Sequence, residues 1–228
     1  MAPHRQLAWD CGTGNGQAAV GLASVFERVI ATDASEKQIA NAQSHEIVEY
    51  RVTPAENSGI GSETVDLIMV AQALHWFDLD RFYAEVRRVL KPNGVFAASA
   101  YNLLHIEKGI DEVINQYYHE VVGPFWPPER RLVEQFGDLP FPFQEIDPPK
   151  FEMTAHWDLH HLLGYLRTWS STQRFIVAKG EDPIEQIAND LRSAWGSPAH
   201  TRSITWPLTL RLGRKPSHRS QHSADHKG

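Results

Sequence analysis

The chain has 228 residues, a formal net charge of −6 and a composition of 42% hydrophobic and 22% charged residues. That size and balance fit a globular protein of one domain, with room for a sizeable insertion, and exclude an overall field that would draw nucleic acid or anionic lipid. Cys11 is the only cysteine, no apolar run is long enough to span a bilayer, and the first residues lack a signal-peptide pattern, so a cytoplasmic protein is expected.

Leu7–Asp10 is a short apolar strand that runs into the glycines of DCGTGNG, residues 10–16. Gln17–Phe26 then has helical spacing in Ala18, Leu22 and Val25. Arg28–Asp33 is a strand that ends in an acid, and Ser35 is placed to cap the helix that follows. Ile47–Val52 alternates like a strand, and Val65–Gln72 is apolar enough to be buried on both faces. Phe82, Val86 and Leu90 repeat with helical spacing, the KPNG of residues 91–94 stops that helix, and Val95–Tyr101 is the next strand.

This alternation predicts an α/β fold with a doubly wound, mostly parallel sheet. After Tyr101 the chain changes character. Glu107–Val121 reads as an amphipathic helix, residues 122–131 as an aromatic loop punctuated by proline, and Pro128 as the start of a further helix. An extended stretch near 144–153, helices over Leu159–Thr168 and Pro183–Trp195, and a last strand over Ile204–Gly213 complete the pattern. The expected organisation is a Rossmann-like core over 1–104, a helical and aromatic cap over 105–200, a final core strand over 201–213 and a disordered tail over 214–228.

The glycine loop lies between a strand and a helix, where backbone amides meet a ligand above the sheet. A dinucleotide fingerprint counted from Gly12 finds Gln17 where its third glycine belongs, and no G-K-[ST] follows for a P-loop. What stands there is Asp10 before the glycines and Asp33 closing the next strand. A carboxylate at the end of the second strand suits a ribose diol, and acids at both ends of the loop repel a phosphate. A ligand with a ribose and a cationic or neutral group fits, as S-adenosylmethionine does.

DCGTGNG with Asp33, the PAE of residues 54–56, VDLIMVAQALHWFD over 65–78 and EVRRVLKPNG over 85–94 resemble the class I S-adenosylmethionine-dependent methyltransferases. The similarity is to the small-molecule group of trans-aconitate methyltransferase-like enzymes, and it is carried mainly by residues 7–101. It implies a Rossmann-like methyltransferase fold with a seven-stranded type of sheet and a helical cap. It also implies S-adenosylmethionine as cofactor. Asp10, Gly12 and Gly14 would lie beneath its methionine part, Asp33 on the ribose, Ala55 and Glu56 beside the adenine, and Gln72 near the sulfonium. Pro54 departs from relatives that carry an acid there. The family normally has helices before the first strand, covering the methionine end; here only a handful of residues precede it, so those helices are expected to be missing.

His75 and Trp76 follow the fourth strand at the ligand-binding edge. His75 is the candidate base or hydrogen-bond donor to the methyl acceptor, with simple packing as the alternative, and Trp76 is a candidate acceptor wall, with core or cofactor-adjacent packing as its alternative. Trp126 offers an apolar wall, and Arg130 or Arg131 a bidentate grip on a carboxylate. No metal is expected: His156 and His160 lack matching ligands, and His218, His222 and His226 lie in a polar tail. The function expected is methyl transfer to a small molecule, carboxylate-bearing or amphipathic, with neither nucleic acid nor membrane as partner. Two alternatives stand beside it. One is an N-terminally truncated methyltransferase fold that is catalytically weak or only binds; the other, a nicotinamide-dependent oxidoreductase, is disfavoured by Gln17.

Overall fold

A computed structural model describes Ala2 and residues 4–216. The expected tail lies outside the described residues from 217 on, with His218, His222 and His226. The chain divides into two compact units. Met1–Ala100, Gln135–Lys150 and Thr209–Gly228 form the first; Tyr101–Glu134 and Phe151–Leu208 form the second.

The strands are β1 (Leu7–Cys11), β2 (Arg28–Asp33), β3 (Val48–Val52), β4 (Val65–Ala71), β5 (Leu90–Tyr101), β6 (Gln144–Ile146), β7 (Phe151–Trp157) and β8 (Arg202–Arg214). The sheet order is β3-β2-β1-β4-β5-β8-β6, with β1 to β5 parallel and β6 antiparallel to β8. Strand order reverses between β1 and β4, so the loops leaving these two strands diverge and open a crevice at their carboxyl ends. The doubly wound reading holds, and its seven-strand path is this one. An eighth strand, β7, pairs antiparallel with the first half of β8.

The first unit carries α1 (Gln17–Ala23), α2 (Glu36–Ala40) and α3 (Leu79–Val89). Ser35 caps α2 through its hydroxyl on the Gln38 amide at 3.3 Å, as its position in the sequence implied. KPNG follows the end of α3, as expected, but the strand expected from Val95 already begins at Leu90. KPNG lies within β5 as a bulge, with five positions from Leu90 to Val95 set against two from Val65 to Leu67. Asn93 takes φ 63° there, a left-handed turn that asparagine tolerates.

Two charged groups fasten this unit. Asp66, fully buried on β4, accepts from the Gln6 and Leu7 amides at 3.1 and 3.0 Å and from Lys91 Nζ at 2.9 Å. Lys215 Nζ donates to the Arg87 and Leu90 carbonyls, both at 2.8 Å, and to Glu63 at 2.9 Å. Those carbonyls close α3, where a cation is favoured by the exposed ends of the peptide dipoles. Phe96 stacks on Phe141 at 5.2 Å, and the Tyr83 hydroxyl donates to the Pro140 carbonyl at 2.6 Å, which brings residues 135–150 onto the core. Gly213 admits this approach, because a Cβ there would meet the Phe143 Cβ at 2.5 Å.

The second unit contains α4 (Lys108–Gln116), α5 (Arg130–Glu134), α6 (Leu159–Arg167), α7 (Ser170–Lys179) and α8 (Ile184–Trp195) around Ile110, Ile114, Tyr117, Leu162, Leu166, Leu191 and Trp195. The helix expected to run to Val121 is α-helical only to Gln116. Tyr117–Val121 is a π-helical turn. The sequence reading has no counterpart of α7, whose Val177 is 87% exposed. Its apolar pattern is too weak to mark a face. Among the described residues no helix is long and apolar enough to cross a membrane.

Candidate functional site

The glycine loop leaves β1 and is pinned to the end of β2. The Gly12 and Thr13 amides both donate to the Thr32 carbonyl, at 2.8 and 2.9 Å, and the Gly14 amide donates to Asp33 Oδ2 at 2.9 Å. Gly12 has φ +70°, and a Cβ there would meet the Ala73 Cβ at 2.5 Å. Glycine at 12 therefore lets the loop cross directly over the turn after β4.

Asp10, at the end of β1, is 1% exposed. Its Oδ2 accepts from the Thr13 hydroxyl at 2.5 Å, and its Oδ1 is buried with no hydrogen-bond partner among the described residues. Burial raises the carboxyl to about 6, partly offset by the Thr13 bond and by the Ala19 amide at the start of α1, and raised further by Asp33. A buried carboxylate oxygen without a partner is one that a cationic or hydrogen-bonding ligand would satisfy.

A cavity of about 410 Å³ opens beside this loop, lined among others by Gly12, Asp33, Pro54, Ala55, Glu56, Trp76 and Phe77. Asp33 and Glu56 are both partly committed. Asp33 Oδ1 accepts from the Ser35 amide at 2.8 Å, and Glu56 Oε1 accepts from the Asp78 amide at 2.9 Å. These bonds fix the carboxylates on the cavity wall, and each oxygen keeps a lone pair for a ligand.

The candidate residues thus fall into three groups. Gly12, Asp33, Ala55, Glu56 and Trp76 line the first cavity, and Asp10 and Gly14 belong to the loop at its edge. Gln72 and His75 are not among the residues lining it. Gln72 holds φ 55° with its amide on the Ser99 carbonyl at 2.9 Å, and His75 sits on the 3₁₀ turn Leu74–Trp76 with its ring centre 4.7 Å from that of Trp76. Trp76 is 60% exposed. A role as packed core is excluded, and the wall it forms is that of the cavity holding Asp33.

Trp126, Arg130 and Arg131 line a cavity of about 420 Å³ within the second unit, together with Tyr118, His119 and Glu134. The sequence reading missed Thr13, Phe77, Tyr118 and Glu134. Thr13 and Phe77 lie inside the quoted motifs and carried a signal; Tyr118 and Glu134 become neighbours only through the π turn. His156 is on β7 and His160 on α6, so the helical spacing that would align their rings does not exist. Among the described residues no group of three or more His, Cys, Asp or Glu is arranged to hold a metal ion.

Comparison with known proteins gives consistent neighbours. A family model described as a methyltransferase domain matches residues 9–98. A protein of Dictyostelium discoideum assigned as a methyltransferase is 36% identical over 218 residues, covering 92% of this chain and 83% of that one. A Saccharomyces cerevisiae protein assigned as an S-adenosylmethionine-dependent methyltransferase is 30% identical over 203 residues, covering 73% and 69%. A solved structure from Anaeromyxobacter dehalogenans, assigned as a type II methyltransferase, is 46% identical with a TM-score of 0.90, covering 95% and 93%.

Proposed function

The chain belongs to the class I S-adenosylmethionine-dependent methyltransferases, and from that premise we propose that it methylates a small, carboxylate-bearing or amphipathic molecule by in-line displacement. The observation that carries the cofactor half is the unpartnered, buried Oδ1 of Asp10 beside a loop whose Gly12 has no room for a side chain. Both fit a ligand that brings a positive group and needs close backbone approach. When bound, the cofactor supplies a methyl group on a sulfonium.

In this reading Asp33 accepts from the ribose hydroxyls through the lone pairs left by Gly14 and Ser35. Ala55 and Glu56 flank the adenine. Gly12 and Gly14 pass under the methionine part, with Asp10 balancing its positive charge. Gln72 borders the sulfonium end. For an in-line displacement of that group the protein's main contributions would be alignment and exclusion of water. A carboxylate acceptor needs no base; for a hydroxyl or carbon acceptor His75 is the residue assigned to take the proton.

The acceptor half rests on the second unit, where two arginines and Trp126 line one cavity. Charge-assisted, bidentate contacts make arginine the common reader of carboxylates. The compartment we propose is the cytoplasm, which suits a chain whose one cysteine, Cys11, is a buried free thiol.

Calorimetric titration with S-adenosylmethionine tests the cofactor roles, with Asp33→Ala expected to weaken binding about tenfold or more. Absence of binding at millimolar cofactor would overturn the reading. Incubation with a carboxylate-and-phenol library, read by product mass, tests the acceptor class. Methylated products confined to neutral, non-phenolic compounds would reject it.

A further inference from the structure

Arg130 and Arg131 are adjacent in sequence but differ in what they touch. Arg130 Nε donates to the Tyr118 hydroxyl at 2.8 Å, and that hydroxyl donates onward to Glu134. The Arg130 guanidinium lies 4.9 Å from the ring centre of Trp126 and 5.5 Å from that of Tyr118, and those rings are 5.0 Å apart. Two rings and one hydroxyl thus hold it, and the hydroxyl is itself anchored on the Glu134 carboxylate. Burial, then the bond to Glu134, pushes the Tyr118 phenol up to about 12, so it stays protonated and keeps donating. Tyr118 reaches this position from the π-helical turn Tyr117–Val121, a local widening that often marks functional sites.

Arg131 is exposed, and among the described residues it has no hydrogen-bond or ion-pair partner for its guanidinium. Glu134 offsets Arg130, and His119 is the remaining titratable side chain of the lining. Counting Arg130, Arg131 and Glu134, the cavity carries one net positive charge, contributed by Arg131. Trp126 Nε1 adds a buried N–H donor with no acceptor among the described residues.

We propose that Arg131 is the specificity residue that reads a single negative charge on a flat small-molecule ligand in this cavity, and that Arg130 is a positioning residue, a planar shelf fixed by Tyr118 and Glu134. The inference rests on the acceptor reading above. It assigns different duties to two residues of one type: Arg131 distinguishes charge, and Arg130 with Trp126 distinguishes shape.

Benzoate, neutral benzamide and non-planar cyclohexanecarboxylate separate these duties, titrated calorimetrically into the full chain saturated with S-adenosylhomocysteine. Benzoate is expected to bind about tenfold or more tightly than benzamide, and also more tightly than cyclohexanecarboxylate. Arg131→Gln should reduce benzoate to the level of benzamide, and Arg131→Lys should restore most of the difference by returning a point charge. Tyr118→Phe, and the charge-conserving pair Arg130→Gln with Glu134→Gln, should weaken benzoate and benzamide by the same factor and narrow the gap to cyclohexanecarboxylate. Unchanged S-adenosylhomocysteine affinity in every variant reports an intact cofactor site.

Wild-type benzoate affinity in Arg131→Gln would overturn the proposal. So would loss of charge discrimination in the Arg130→Gln, Glu134→Gln pair, or no saturable benzoate binding at millimolar concentration. The acceptor reading fails separately. Arg131-dependent benzoate binding with no methylated product in the library rejects the acceptor role and retains the anion site. Library methylation indifferent to Arg131→Gln rejects the anion site and retains the acceptor class.

Discussion

Asp10 is a residue whose burial costs the fold stability at neutral pH. In the unfolded chain its carboxyl titrates near 3.8, and in the fold burial raises it to about 6. The folded protein therefore holds a proton that the unfolded chain has released, and stability falls as pH rises from about 3.8 to about 6. Above that window the cost is about 3 kcal/mol. Asp10→Asn removes the charge and keeps an oxygen for Thr13, so urea denaturation at pH 7 should find the variant more stable, by up to about 3 kcal/mol. On the cofactor role proposed for Asp10, the same variant should lose affinity, and wild-type affinity should climb as pH rises through about 6. A variant neither more stable nor weaker in binding would remove Asp10 from both accounts. At this scale the sequence was informative where residues are neighbours in the chain: Asp10, Gly12 and Gly14 share one turn, and Asp33 ends the next strand. Trp76 was less legible, because nothing in HWFD says whether an indole faces the core or a cavity.

Elements were legible where burial imposes a strong period and illegible where packing overrides it. The helix α3 and the strands β1, β2 and β4 sit within a residue or so of their expected bounds because their apolar faces are continuous. KPNG was legible as the stop of α3 but not as the start of β5, because proline and glycine signal a break and a bulge inside a strand uses the same residues. The helix α7 was missed for want of a face, and the π turn because a one-residue widening leaves no mark on composition. The buried ion pair between β4 and β5 makes a prediction at this scale. Asp66→Ala leaves the Lys91 ammonium with only the Gln6 side-chain oxygen at 2.9 Å and the Gln6 and Leu7 amides without their acceptor. Its cost should be about 3 kcal/mol in urea denaturation, and a loss below about 0.5 kcal/mol, within the range of ordinary surface changes, would show that water replaces the carboxylate.

For the whole molecule, the discontinuity of the first unit was the least legible feature. Residues 135–150 and 209–214 return to it through β6, β8 and a cluster of phenylalanines, pairings that couple positions far apart in sequence and leave no local period. The first unit thus depends on residues at the far end of the described chain, and Lys215 is the sharpest instance. Its ammonium joins the end of α3 to Glu63, and its backbone pairs with Asn93 and Gly94 at 2.9 and 3.0 Å. For anyone choosing where to cut an expression clone, this sets a boundary to one residue. A chain ending at Lys215 keeps the clasp and one ending at Arg214 loses it, so thermal melting should separate the two by several degrees, as a loss of about 1 kcal/mol or more implies. Identical melting curves would mean that the far end of the chain merely rests against α3.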